Sequence, residues 1–350
     1  MISLFLVAQM DFIKYCEGLG IVPNPLPKRI KSSDVLSLNT FGLISANLYN
    51  FLPQMPYTKH RFLYRDFKMN QWLHGIDTHF FQNEYPLPID GIGDLMDKLN
   101  VQNGIICTYH FGVYQLIDSI LLNSRNRFAL LVGADVFNNW KERYPVLSKI
   151  LDKAAKEERF VLLNAEASTS LRQMYRLVKQ GYSIVVYVDG IQGVSQGNEN
   201  QLIQIPFLGQ QIFVPKGAAA LSHYFGVPMY PVLALRRTNR IEFKVARTIF
   251  PTLITDRQQY CVYAMREIFS FLSTYVMHWP EQWTNWSLLH YFLKGILPLN
   301  RAMITGDTSE EQEYSLIKFQ TAPYLMKKSD YKTFLLNDVD FECLLCQWEI

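Results

Sequence analysis

Short apolar runs alternate with helix-length stretches through the middle of the chain, and this alternation limits the possible folds more than any other feature. The apolar runs span residues 104–109, 128–132, 160–163, 183–188 and 229–235. The stretches at 144–155, 170–180 and 216–225 have the length and apolar spacing of helices. Strands that alternate with helices are typical of a parallel sheet covered on both faces. The sequence therefore predicts an α/β fold with a single doubly wound, mostly parallel sheet flanked by helices.

The pattern changes near both ends of this region and predicts three parts. Residues 1–84 mix aromatic, proline and basic residues and are expected to form a mostly helical N-terminal segment. Residues 85–300 carry the α/β core. In the tail, 301–350, the stretches 319–326 and 331–336 are expected to pair as a small hairpin before a terminal helix.

The charge of the chain argues against a dedicated nucleic-acid binder. The net charge is only +3, and no block of Lys and Arg is present. Such a weak positive charge is compatible with attraction to anionic lipid headgroups or to an acidic carrier protein. The aromatic content of 14% suits an apolar ligand, but a large aromatic core would give the same value.

The cysteines do not form the pattern of a disulfide framework. They number five and are scattered, and the pair Cys343 and Cys346 has no second pair or histidine nearby to complete a metal site. No metal or cofactor is expected. Residues 1–10 are too short an apolar run to cross a bilayer. We therefore expect a cytoplasmic protein that can lie peripherally on the inner face of the cytoplasmic membrane.

The most specific local feature is His110, which directly follows the apolar run 104–109. Gly112 eases a turn into the next helix. This order places an imidazole at the carboxyl end of a strand, where α/β enzymes hold their active sites. A histidine there can accept a proton from an attacking hydroxyl or amine at neutral pH. A histidine satisfied inside the core is the alternative.

Several further motifs follow His110 in a recognisable order. The segment 109–118 resembles the His-x4-acid motif of the bacterial lysophospholipid and lipid A late acyltransferases. The resemblance extends over about 85–291 and includes an aspartate after an apolar strand, a Phe-Phe-Gly-like block, a Pro-x-Gly helix start, a strand that closes with an arginine, and a Pro-Glu-Gln-Trp element. The residues that carry these motifs are Asp189, Phe207-Leu208-Gly209, Pro215-Lys216-Gly217, Arg236 and Pro280-Glu281-Gln282-Trp283.

The resemblance implies a fatty-acyl transfer. The donor would be a thioester on acyl carrier protein or coenzyme A, and the acceptor a hydroxyl or amine of a lipid, sugar or peptide. His110 would deprotonate the acceptor. Arg172, Arg176 and backbone N–H groups near Gly112 would stabilise the oxyanion. Arg172 and Arg176 are four residues apart, so they could equally form an exposed, solvated helix face.

Gln115 departs from the family pattern, which has Asp or Glu at that position. An amide oxygen can accept a hydrogen bond from imidazole but cannot offset its positive charge. The enzyme could therefore be slower, could use another carboxylate, or could be inactive. Asp118 and Asp189 are the available substitutes, and Asp189 is the favoured one for a role in the site, though not necessarily as the partner of His110.

Three functions remain open from the sequence. The first is the acyltransferase, in which Phe111, Gly112, Tyr114, Phe207, Leu208, Gly209 and Arg236 would contact substrate. The second, suggested by Gln115, is a catalytically inactive protein that binds an acyl chain or lipid. The third is a scaffold that docks a carrier protein. A carboxylate within hydrogen-bond distance of His110 would favour the enzyme.

Overall fold

The computed structural model describes residues 11–22, 30–31, 33–81, 85–124, 126–195, 199–293 and 311–348. Its strands are β1 (Ile89–Asp90), β2 (Ile105–Thr108), β3 (Phe128–Val132), β4 (Phe160–Asn164), β5 (Ser183–Tyr187), β6 (Leu202–Phe207), β7 (Gln210–Pro215), β8 (Met229–Arg237), β9 (Arg240–Val245), β10 (Tyr314–Phe319), β11 (Ala322–Lys327) and β12 (Thr333–Leu335). Its α-helices are α1 (Phe12–Gly18), α2 (Val35–Phe51), α3 (Tyr57–Phe80), α4 (Gly93–Val101), α5 (Leu116–Asn123), α6 (Ala134–Asn138), α7 (Trp140–Arg143), α8 (Pro145–Lys156), α9 (Ser170–Lys179), α10 (Gln192–Ser195), α11 (Gly217–Phe225), α12 (Arg257–His278) and α13 (Asp338–Gln347).

The described residues form one main sheet with the strand order β1-β9-β8-β2-β5-β3-β4. Strands β8, β2, β5, β3 and β4 run parallel to one another, while β9 is antiparallel to β8. Because β5 returns between β2 and β3, β2 and β5 are neighbours although their sequence positions are far apart. In such sheets the site lies beyond the carboxyl ends of the strands, which here places the ends of β2 and β5 side by side.

Side chains alternate between two apolar cores, one on each face of the sheet. In β2, Ile105 and Cys107 belong to the core that includes residues of α2, α9, α11 and α12. Ile106 belongs to the opposite core, with residues of α4, α5 and α8. A strand whose side chains are buried on both faces is a near-continuous apolar run. This confirms the predicted α/β fold with a doubly wound, mostly parallel sheet.

The helices before the sheet also pack against the C-terminal residues. Asp34 caps α2 by accepting the Ser37 N–H at 3.0 Å. Strand β10 lies against α2 where Gly42 leaves no side chain, and a Cβ there would be 2.8 Å from Ile317. Leu316 and Leu325 are buried in the same apolar core as Leu38 of α2. The C-terminal residues therefore share their core with the rest of the chain.

The C-terminal structure contains more strands than expected. Strands β10, β11 and β12 form an antiparallel sheet, followed by α13. The expected pairing of the two stretches is present as β11 with β12. Phe319, however, belongs to β10, because the chain turns at Gln320 with φ of +56°. Residues 314–318 were not predicted as a strand.

Candidate active site

His110 and Asp189 meet beyond the carboxyl ends of β2 and β5. Nδ1 of His110 lies 2.8 Å from Oδ1 of Asp189, although 79 residues separate them in sequence. The Asp189 side chain is fully buried, whereas 30% of the His110 side chain is exposed. Because a carboxylate only accepts hydrogen bonds, Nδ1 is the donor in this contact, and Nε2 is the ring nitrogen left for another partner. This is the arrangement that a general base needs.

Asp189 is held in place by several donors. Its Oδ2 accepts the backbone N–H of His110 at 3.0 Å and the indole N–H of Trp283 at 2.9 Å. The side-chain amide of Asn285 donates to its backbone carbonyl at 2.8 Å. Buried carboxylates require such partners, since an unpaired one is costly. The carboxylate therefore has one orientation relative to the imidazole.

The turn after His110 is fixed by two other segments. Gly112 has φ of +60°, and its N–H donates to the Gln282 carbonyl at 2.9 Å. The N–H of Val113 donates to the Ala234 carbonyl at 3.1 Å, and Thr284 donates its N–H to the His110 carbonyl at 2.9 Å. The N–H groups of Gly112 and Val113 thus already donate hydrogen bonds to backbone carbonyls. These two N–H groups are therefore not free to stabilise an oxyanion, and a role for other N–H groups near Gly112 stays a prediction.

Aromatic rings surround the imidazole. The ring centroids of Tyr114 and Tyr187 lie 5.1 and 4.9 Å from that of His110. His74 of α3 stacks on Tyr114 at 4.2 Å. Burial, with smaller contributions from Arg236 and His110, lowers the pKa of His74 to about 3. His74 is therefore neutral at physiological pH.

Gln115 and Asp118 lie close to this cluster but do not support His110. Gln115 is buried, and its Oε1 has no hydrogen-bond partner among the described residues. Asp118 is also buried, and its Oδ2 is 3.4 Å from the Tyr187 hydroxyl. Burial raises the pKa of Asp118 to about 7, a shift that the Tyr187 hydrogen bond partly opposes. Of the two substitutes for the family acid, the geometry selects Asp189.

A cavity of about 920 Å³ lies next to the pair, beyond β3, β4 and β5 and between α9 and α11. Its volume is within the range of small-molecule sites. Tyr187, Val188 and Gly190 line it beside His110 and Asp189, and Leu131, Val186 and Met174 give it an apolar wall. The cavity therefore lies between two helices and reaches the residues on either side of Asp189, while His110 and Asp189 are not among its lining residues.

The residues of the Phe-Phe-Gly-like block lie away from the cavity. Phe207, Leu208 and Gly209 lie at the β6–β7 turn, where Leu208 and Gly209 have φ of +48° and +80°. Phe207 packs edge-on against Trp283, with ring centroids 5.6 Å apart. Phe111 is fully buried and bridges to Trp283. These residues and Tyr114 are not among those that line the cavity, so Phe207 and Phe111 support Trp283 instead.

The three candidate arginines are also placed differently from one another. Arg236 is fully buried, pairs with Asp77 and Asn70 of α3, and lies 5.3 Å from the Tyr15 ring. Its backbone exchanges two hydrogen bonds with the Gln282 side chain, at 2.8 and 2.9 Å. This placement favours a supporting role over direct contact with substrate.

Arg172 and Arg176 lie on the exposed face of α9. Among the described residues they make no hydrogen bond or ion pair with His110 or Asp189. Their role in catalysis remains a prediction.

Comparison with known proteins decides the family. The family described as bacterial lipid A biosynthesis acyltransferase matches residues 91–293, more than half of the chain. The chain belongs to this family. The acyltransferase therefore carries its family signature on the α/β core, with His110, Asp189, Gln282 and Trp283 all inside the matched residues.

One solved structure that matches the chain is the 1-acyl-sn-glycerophosphate (LPA) acyltransferase PlsC from Thermotoga maritima. It is 13% identical to the acyltransferase, and the match covers 71% of this chain and 96% of that chain with a TM-score of 0.34. No curated protein matches the sequence significantly.

Sequence reasoning missed several residues around His110. Trp283 was noticed only as part of a family element, and Asn285, Tyr187 and His74 were not singled out. Trp283 and Asn285 come from a segment some 95 residues beyond Asp189, and no local pattern indicates that they fold back onto it. The Pro-Glu-Gln-Trp element was the one available signal.

Proposed function

We propose that the acyltransferase moves a fatty-acyl chain from a thioester donor to a hydroxyl or amine, with His110 as general base. The observation that supports this most strongly is the 2.8 Å contact between His110 Nδ1 and Asp189 Oδ1 beside an apolar cavity. The donor is acyl carrier protein or acyl-CoA, and the acceptor is a lipid, sugar or peptide.

In the proposed reaction the fatty chain lies in the cavity between α9 and α11, and its thioester carbonyl lies near His110. Nε2 of His110 takes the proton of the acceptor as the acceptor attacks the carbonyl carbon. Asp189 keeps the imidazole oriented and offsets the charge it gains. The tetrahedral intermediate then collapses, the carbon–sulfur bond breaks, and the thiolate leaves with the proton from His110.

The inactive alternative rested on Gln115. Asp189 supplies the carboxylate that Gln115 lacks, which favours catalysis over binding alone. No observation of this kind supports the third function, a scaffold that docks a carrier protein.

The test is intact-mass analysis of acyl carrier protein charged with mixed fatty chains, incubated with a cell extract as the acceptor pool and each protein variant. The wild type should discharge the thioester into a new acylated product. His110→Ala should not, whereas His79→Ala, which changes an exposed histidine of α3, should behave as the wild type. If neither wild type nor variant turns over but both retain fatty chain, the protein binds acyl chains without catalysis.

A further inference from the structure

An exposed apolar cluster lies on the two helices that border the cavity. Leu171 and Tyr175 of α9 are 49% and 42% exposed, and Tyr224 of α11 is 60% exposed. The rings of Tyr175 and Tyr224 are 6.3 Å apart, so the two helices present one continuous surface. We call these three residues the α9–α11 patch. Such clusters on soluble proteins mark contact sites.

Positive charge surrounds this patch. Arg172, Arg176 and Lys179 project from α9, and Lys179 lies 5.6 Å from the Tyr175 ring. Among the described residues, none of these three is ion-paired with an acid. The sequence contains no Asp or Glu from 167 to 188 or from 200 to 241, so α9 and α11 carry no acid at all.

Two more cations and two acids lie at the edge of this surface. Lys216 and Arg257 both line the cavity, and Lys216 donates to the neutral Gln258 side chain. Glu166 and Asp256 accept the backbone N–H groups of Ala134 and Gln259, which does not cancel the charge of a carboxylate. Five basic residues face these two acids, so the surface around the patch has an excess of basic residues.

The patch is continuous with the cavity. Leu171 and Tyr224 line the cavity and are exposed at the surface. An apolar chain can therefore pass between α9 and α11 without leaving an apolar surface. Tyrosine and leucine ringed by Arg and Lys match a membrane interface, where tyrosine rings lie at headgroup depth and cations pair with anionic lipids.

We propose that the α9–α11 patch docks the acyltransferase on an anionic membrane surface, with the cavity opening toward the bilayer. The role of that opening rests on the proposed acyl-chain site. The docking itself requires no catalysis, so the two can fail separately. An acidic carrier protein would be attracted by the same charges, but an exposed aromatic and aliphatic centre that opens into an apolar cavity favours the bilayer.

The test is co-sedimentation of the full chain with phosphatidylcholine vesicles that contain about one third phosphatidylglycerol, and with vesicles of phosphatidylcholine alone. We expect binding to the anionic vesicles at least about tenfold tighter than to the neutral ones, and weaker as salt is raised. Arg176→Glu with Lys179→Glu, and separately Tyr175→Ser with Tyr224→Ser, should each reduce that binding about tenfold or more. Lys149→Glu with Lys153→Glu should leave it within twofold of wild type, because these exposed lysines lie on α8, across the sheet.

The proposal would be overturned if the α8 control lost as much vesicle binding as the patch variants, or if the patch variants lost none. So would a wild type that ignores vesicles but binds purified acyl carrier protein with the same dependence on Arg176 and Lys179, since the partner would then be a protein. The inactive His110→Ala variant should bind vesicles as the wild type does. Circular dichroism and the unfolding temperature confirm that each variant is folded.

Discussion

At the scale of single residues, the contact between His110 and Asp189 gives the proposed base a carboxylate partner in a chain that has glutamine at the acid position of the motif it resembles. The carboxylate comes from the next strand of the sheet instead of the following helix. Gln115 remains in the fold as a buried amide whose Oε1 has no hydrogen-bond partner among the described residues. The two positions should therefore differ sharply in their effect on rate.

We expect Asp189→Asn to lower kcat about 10²- to 10⁴-fold with little change in KM. Asparagine cannot offset the imidazolium charge and can hold the imidazole in the wrong tautomer, a change that costs about 10⁴-fold in serine proteases. Gln115→Ala should stay within a few-fold of wild type, and Gln115→Glu should bring no gain. Steady-state rates with acyl carrier protein that carries a fatty-acyl thioester measure these differences. A Gln115→Ala variant as slow as Asp189→Asn would show that the glutamine supports His110.

Asp118 makes stability depend on pH. Folding raises its pKa from 3.8 to about 7 through burial, so between these values the folded state holds more protons than the unfolded state. Stability therefore falls as pH rises through this window, by at most about 4 kcal/mol, and the deficit is constant above it. Asp118→Asn should be more stable than wild type, most at pH 8 and least near pH 4.

Thermal unfolding of both proteins from pH 4 to pH 8 checks this expectation. Asp97→Asn is the control, because Asp97 is an exposed carboxyl group on α4. A stability difference between Asp118→Asn and wild type that did not change with pH would mean that Asp118 is not held neutral by burial.

At the scale of elements, the strands and helices of the core were largely predictable because each is a local pattern. Strand β3 was predicted to the residue, and β2, β4, β5, α8, α9 and α11 to within about one. The partners of Asp189 were not predictable, because Trp283 and Asn285 reach it through packing and not through spacing. The turn at Gln320 was also missed, since it depends on a residue other than glycine at positive φ.

The turn after β2 shows how an element limits substitution. A Cβ at Gly112 would lie 2.0 Å from the Ala234 carbonyl oxygen, and its φ is +60°. Gly209 has a similar φ of +80° but nothing within 4 Å. Gly209→Ala should therefore cost about 1 kcal/mol for the backbone conformation alone.

We expect Gly112→Ala to cost several times more stability than Gly209→Ala and to lower kcat as well, because the His110 turn must move. Denaturant unfolding and kinetics of both variants measure this. Equal costs at the two glycines would contradict the tight contact with β8.

At the scale of the whole molecule, the C-terminal sheet and the α/β core should unfold together. The Tyr331 hydroxyl donates to Asn47 of α2 at 2.6 Å, and Leu325 is fully buried in the core that contains α2 and Trp283. Elements that pack into one apolar core usually unfold in a single cooperative transition.

We expect Leu325→Ala to lower the free energy of unfolding by about 2 to 5 kcal/mol, the usual cost of such a cavity. Native-state hydrogen exchange should show amides of β2 and β11 losing protection together. Loss confined to β10, β11 and β12 would show that the C-terminal sheet opens by itself.

His110 and Asp189 follow two different strands, β2 and β5, so their contact is not visible as a local motif in the sequence. The His110–Asp189 contact forms only when β2 and β5 pair in register, so the distance between the two residues along the chain is irrelevant to the chemistry. A carboxylate lost from one element can be supplied by any neighbour that ends at the same edge of the sheet. The absence of an acid from the motif therefore does not by itself show that a chain is inactive.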